Sequence, residues 1–210
     1  MNGLKLDDVT ITLEGRELLR LSQDIRPGEI LTVMGPSGSG KSSLLAYVGG
    51  FLDASFEARG DVWLNGQSLI AKPAHERHTG ILFQDPLLFP HMSVGENLLF
   101  AISPSVTGAE RRETAERALT QAGLEGFFDR DPATLSGGQK ARVALMRVLV
   151  SQPSALLLDE PFSKLDAGRR DQIRRFVFDE AKRRNLPILL VTHDEADAMA
   201  AGGAIVELDQ

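Results

Sequence analysis

The chain has 210 residues, 42% hydrophobic and 25% charged, with a net charge of −6 and no cysteine. This is the make-up of a globular domain with a substantial core. It excludes a disulfide framework and thiolate metal sites, and its acidic balance argues against a nucleic-acid binder, whose phosphate contacts need a basic face.

The start, Met1-Asn2-Gly3-Leu4-Lys5, has neither the basic segment nor the apolar run of a signal peptide. No stretch approaches the ~18–20 apolar residues that span a bilayer. From residue 4 to 33, short apolar runs alternate with turn signals at Glu14-Gly15 and Pro27-Gly28. That pattern predicts an antiparallel β-layer leading into a buried strand, Ile30-Leu31-Thr32-Val33-Met34. A helix is expected from Lys41 to about Phe51, then a β segment Asp61-Val62-Trp63-Leu64 closed by the turn Asn65-Gly66. Ile81-Leu82-Phe83 is a further short strand candidate, ending at Gln84.

From Pro86 to about Ser151 the character is helical. Thr107 with Glu110 has the spacing of a capping box ahead of an apolar face at Ala115, Ala118, Leu119 and Ala122, with Gly123 as the stop. Ala141, Ala144, Leu145 and Val148 repeat that spacing in a helix beginning at Ser136. Apolar strands return at Ala155–Leu158, Ile188–Val191 and Ala204–Val206, with a helix from about Ala167 to Arg184 between the first two. Fully apolar strands alternating with helices predict a mostly parallel sheet covered on both faces. The expected architecture is an α/β P-loop core with β-layer over 1–85 and 152–210, and an inserted helical subdomain over 86–151.

Three motifs carry chemistry. Gly35-Pro36-Ser37-Gly38-Ser39-Gly40-Lys41-Ser42 matches G-x-x-x-x-G-K-[ST] and follows a strand candidate, as that phosphate loop requires. Its glycines let backbone N–H groups face phosphate oxygens, Lys41 reaches the β- and γ-phosphates, Ser42 is placed for Mg²⁺, and Ser43 continues the cradle. Asp159 and Glu160 end an apolar run, which suits a water-mediated Mg²⁺ contact and a general base, respectively. Ser136-Gly137-Gly138-Gln139 reads both as a capped helix start and as an anion site with a positive dipole end.

Phosphate loop, Leu135-Ser136-Gly137-Gly138-Gln139 and Leu158-Asp159-Glu160, in that order, make the chain resemble the ATP-binding subunit of ABC transporters along nearly its whole length. The resemblance implies ATP and Mg²⁺ as ligands, and hydrolysis of the γ-phosphoryl group. It also implies an ATP-dependent head-to-tail homodimer, in which each signature meets the nucleotide of the opposite subunit. Gln84 then corresponds to the glutamine that contacts Mg²⁺ and senses the permease, Asp166 in Ser163-Lys164-Leu165-Asp166 to the residue communicating across the dimer, and His193 to the switch histidine at the γ-phosphate. Where the family has an aromatic residue for adenine, this chain has Leu13. His75, His78 and His91 have no such context and are expected to be solvated.

The resemblance further implies a separate transmembrane permease, a substrate-binding protein, no nucleic acid, and a peripheral position on the cytoplasmic face of the inner membrane. The run from Gly80 to Val94 looks most like importers of the thiamine, molybdate and iron group, with a thiamine-like solute as the favoured cargo. A soluble, non-transport relative acting in DNA repair or translation is the alternative; such proteins carry coiled-coil insertions, zinc cysteines or a second cassette. A P-loop kinase would lack the Ser136–Gln139 signature. Pro86-Leu87-Leu88-Phe89-Pro90 is either a buried connection or part of a groove for a permease helix.

Overall fold

A computed structural model describes residues 2–165 and 167–208. β1 (Leu4–Leu13) and β2 (Arg16–Ile25) form an antiparallel hairpin around Glu14 and Gly15, whose φ values of 50° and 79° suit a two-residue turn. β4 (Phe56–Leu64) pairs antiparallel on the other side of β1, and β5 (Gln67–Ser68) follows through Asn65-Gly66. The order is β2-β1-β4-β5.

The apolar positions of β1 change parity: Leu4 and Leu6, then Val9 and Ile11, are all buried. A regular strand would turn the second pair toward solvent. The register shifts between Leu6 and Val9 against β2 and between Asp7 and Thr10 against β4, with Asp8 at φ 50°, and this bulge returns Val9 and Ile11 to the core. Gly60 lies against the bulge, where an added Cβ would sit 2.2 Å from the Asp8 carbonyl oxygen.

The second sheet runs β6 (Thr79–Leu82), β7 (Ala155–Asp159), β8 (Ile188–Thr192), β3 (Ile30–Met34), β9 (Ala204–Glu207). β3 pairs in parallel with β8 and β9, and β7 with β8. Leu31, Val33, Leu157, Leu189 and Val191 share one buried cluster with the inward residues of β1 and with Leu44, Leu45 and Val48 of α1 (Lys41–Gly49). β9 departs from the expected buried strand: it is the edge, and Ile205 is 41% exposed.

The chain divides into two compact units, residues 1–81, 154–160 and 178–210, and residues 82–153 and 161–177. The second contains α2 (Val94–Ala101), α3 (Gly108–Gln121), α4 (Gly137–Val150) and the start of α5 (Ala167–Arg183). α3 buries Ala115, Ala118 and Leu119, and Gly123 at φ 68° ends it, with Leu124 N–H donating to Leu119 O at 2.8 Å.

Three further expectations need correction, and one helix was not expected. Thr107 stands at the N-cap of α3 but makes no side-chain cap bond; Arg111 ties that entry down by donating to Leu99, Ser103 and Val106 carbonyls. β6 begins and ends earlier than Ile81–Phe83, so Gln84 lies beyond the strand end. α1 stops at Gly49, because Gly50 adopts a left-handed cap. A short helix, α6 (Glu195–Ala201), separates β8 from β9 and is capped by the Asp194 side chain.

Candidate functional site

Parallel pairing aligns the carboxyl ends of β3, β7 and β8: Met34 pairs with Thr192, and Asp159 with Val191. Ligands of open α/β sheets bind at that end of the strands. The phosphate loop leaves β3 there. Gly38 and Gly40 have φ values of 84° and 86°, and a Cβ on Gly38 would meet nothing within 4 Å. Gly40 is the N-cap of α1 and supplies no side-chain cap, which leaves first-turn N–H groups for an anion.

Lys41 is buried and donates to the carbonyls of Gly35 at 2.8 Å and Pro36 at 2.7 Å, two of its three donors. Burial lowers its pKa, against the opposing pull of Glu160 and Asp159. Ser39 donates to Pro36 O at 2.9 Å and closes the loop. Ser42 Oγ donates to Asp159 Oδ1 at 3.0 Å. Burial raises the Asp159 pKa, the Ser42 hydrogen bond lowers it, and nearby Glu160 adds to the rise.

Glu160 has φ 43°, an unusual conformation for a residue with a side chain, and its N–H donates to Val191 O at 3.0 Å. Such strain persists where surrounding structure imposes it, often at functional sites. His193 Nδ1 lies 2.9 Å from Glu160 Oε1. The turn carrying His193 is pinned on both sides. Asp194 N–H donates to Thr192 Oγ1 at 3.0 Å, and Asp194 Oδ1 accepts from Ala196 and Asp197 N–H groups.

Leu13, Ser37, Gly38, Gly40, Lys41, Ser42, Ser43 and Glu160 line one cavity of about 300 Å³. Asp159 joins them through Ser42, and His193 through Glu160. Leu18 and Phe56 also line it, and the sequence patterns single out neither. The register that sets Phe56 opposite Leu13 is the signal that finds it.

The remaining candidates belong to the second unit. Gln84 is exposed and shares a cavity of about 110 Å³ with Pro86, Gly137, Lys140 and Lys164. The capping box of α4 forms: Ser136 N–H donates to Gln139 Oε1 at 2.9 Å, and Ser136 Oγ accepts from Gln139 N–H at 3.4 Å. Lys164 pairs with Asp85 at 2.6 Å. Asp166 lies outside the described residues. His75, His78 and His91 are exposed, as expected.

Pro86 and Leu87 are held by Arg147, which donates to their carbonyls at 3.2 and 2.8 Å. Buried Asn97 accepts from Phe89 N–H at 2.8 Å and donates to the carbonyls of Phe89, Met92 and Ser93. Phe89 is half-buried against Phe100, with ring centroids 4.9 Å apart, whereas Leu87 and Phe100 are 57% and 64% exposed. No helix among the described residues is long and apolar enough to cross a membrane.

A parallel sheet whose carboxyl edge carries a phosphate loop, a strand-end Asp-Glu pair and a strand-end histidine defines a P-loop nucleoside triphosphatase fold. The family model for ABC transporters matches residues 18–163, and the chain belongs to that family as its ATP-binding component, an ATPase. It is 48% identical over 197 residues to an uncharacterized ABC transporter ATP-binding protein, YnjD, of Escherichia coli K12, covering 94% of this chain and 90% of that one. It is 41% identical over 198 residues to the thiamine import ATP-binding protein ThiQ of Vibrio parahaemolyticus, covering 94% and 83%. To the spermidine/putrescine import ATP-binding protein PotA of Bacillus cereus it is 39% identical over 191 residues, covering 90% of this chain and 58% of that protein. These relatives carry transporter names, which favours transport over the DNA-repair or translation alternative.

Proposed function

We propose that this ATPase hydrolyses Mg-ATP in a head-to-tail homodimer and so energises a separate membrane permease for solute uptake. The observation that carries the reading is the single cavity joining Lys41, Ser42 and Glu160, with Asp159 and His193 each one hydrogen bond away. Gly35 to Ser43 cradle the phosphates, and Lys41 places positive charge on the β- and γ-phosphates. Glu160 accepts a proton from the attacking water. His193, held at the Glu160 carboxylate, orients that base and meets the γ-phosphate. Catalysis is then mainly positioning and charge stabilisation.

The Ser42 hydroxyl and Asp159 carboxylate are hard oxygen donors already in contact, a pair that fits Mg²⁺, which takes one or two protein oxygens beside substrate phosphates. When bound, that ion neutralises charge on the phosphates. Gln84 is proposed as its further contact, and Ser136, Gly137, Gly138, Gln139 and Asp166 as the surface offered to the partner's nucleotide. Residues 86–151 are proposed as an inserted helical subdomain.

The permease is proposed to meet the segment around Leu87, which places the chain peripherally at the cytoplasmic face of the inner membrane, with a substrate-binding protein as the third component. The solute is proposed as a small organic cation of the thiamine type, since relatives at 41% and 39% identity are named for thiamine and spermidine/putrescine import. Phe89→Asp would disturb a half-buried ring, so exposed Leu87 is the cleaner probe. Purified chain should release phosphate from ATP only with Mg²⁺ present, and reconstitution with its permease should stimulate that rate. Leu87→Asp should abolish the stimulation and keep the basal rate; unchanged stimulation would move the docking site elsewhere.

A further inference from the structure

The cavity at the phosphate loop has polar and apolar lining: Lys41, Ser42, Ser43 and Glu160 supply the first, and Leu13, Leu18 and Phe56 the second. Phe56 is the one aromatic side chain among the described residues that line it. Leu13 closes β1 and Phe56 opens β4, and the two are directly paired in the antiparallel ladder. Paired residues project from the same face of a sheet, so the last residue of one strand and the first of the next form one wall.

Local bonds fix where that wall stands. Asp53 Oδ1 accepts from Ser55 N–H at 2.9 Å and from Ser55 Oγ at 2.6 Å, and Phe56 N–H donates to Asp53 O at 3.1 Å. This turn sets the first residue of β4. Phe56 also packs in part against the core cluster of its unit, which anchors the ring while leaving it half-buried at the cavity. Leu18 lies against the phosphate loop, its Cβ 3.1 Å from where a Cβ on Gly40 would stand.

We propose that Phe56 is the stacking platform for the nucleotide base, so that β4 supplies the aromatic surface which Leu13, at the end of β1, cannot. This rests on the cavity being the nucleotide site. A ligand that carries both phosphates and a flat heteroaromatic ring matches both kinds of lining at once. Leucine offers such a ring dispersion contacts only, whereas an aromatic face adds base stacking. Phe56 therefore sets affinity for the base and Lys41 affinity for the phosphates, through separate walls.

The test is equilibrium binding of ATP and of inorganic tripolyphosphate, each with Mg²⁺, to the full chain. Phe56→Leu keeps apolar packing and removes the π-face. It should lower ATP affinity about tenfold, within the roughly 5- to 150-fold that one stacked base contributes. Tripolyphosphate affinity should stay unchanged, and Phe56→Tyr should bind ATP as wild type does. Leu13→Ala should cost less than Phe56→Leu. Unchanged ATP affinity in Phe56→Leu overturns the proposal. Equal loss for ATP and tripolyphosphate also overturns it, because the residue then acts by shaping the loop. Lys41→Ala separates the two levels: it should weaken both ligands, and if it weakens neither, the nucleotide-site reading falls and this proposal with it.

Discussion

Helices α1 and α4 both begin at glycine-bearing turns, and they treat their first-turn N–H groups differently. α1 starts at Gly40, which has no side chain to cap it, and the loop before it opens onto a cavity. α4 starts at Ser136 and closes its own end: the Ser136 and Gln139 side chains each bond the other's backbone. A glycine N-cap gives up only about 0.3 kcal/mol relative to a side-chain cap, a cost that an anion held there offsets. The first start therefore leaves its N–H groups to a ligand, whereas at the second the box bonds the N–H groups of Ser136 and Gln139 and does not reach those of Gly137 and Gly138.

That contrast assigns chemistry to the α1 end, and Glu160→Gln tests it most strongly. Removing the base and keeping the shape should lower hydrolysis by ~10²–10⁴-fold, measured as phosphate release, while ATP affinity holds and an ATP-bound dimer accumulates on sizing. Full activity in that variant would remove Glu160 from its role. Lys41→Ala should act on binding instead. Loss of a charged hydrogen bond is worth ~1.5–3 kcal/mol, or about 10- to 150-fold in ATP affinity by direct titration. Wild-type affinity would contradict the open-end assignment.

The smallest effect falls at the closed end. Ser136→Ala should cost about 1 kcal/mol of stability, read as a melting temperature lower by ~2–4 °C for a chain of this size. ATP affinity of the dilute, monomeric chain should not change. A loss of affinity there would show that the two helix starts are not the separate devices described above.

Much of this was legible in the chain itself. The phosphate loop, the apolar run into Asp159 and Glu160, and the Ser136–Gln139 box are local patterns, and β3, β7 and the start of α4 appear where those patterns put them. The Thr107 and Glu110 spacing was equally local and misled: the cap bond did not form, and Arg111 instead ties that turn down through three carbonyls. Spacing shows which bonds are available, not which are made.

The sequence by itself determined what lies close along the chain: the loop that can bind phosphate, the strands that must be buried, and the family. Tertiary structure alone decided what pairing between distant strands brings together. Glu160 meets His193 from 33 positions away because β7 and β8 run parallel in register. Phe56 reaches the cavity at the phosphate loop because β1 and β4 are antiparallel and their ends coincide at Leu13. Strand register depends on how the whole apolar face is buried, including the bulge at Asp8, and no short motif encodes it.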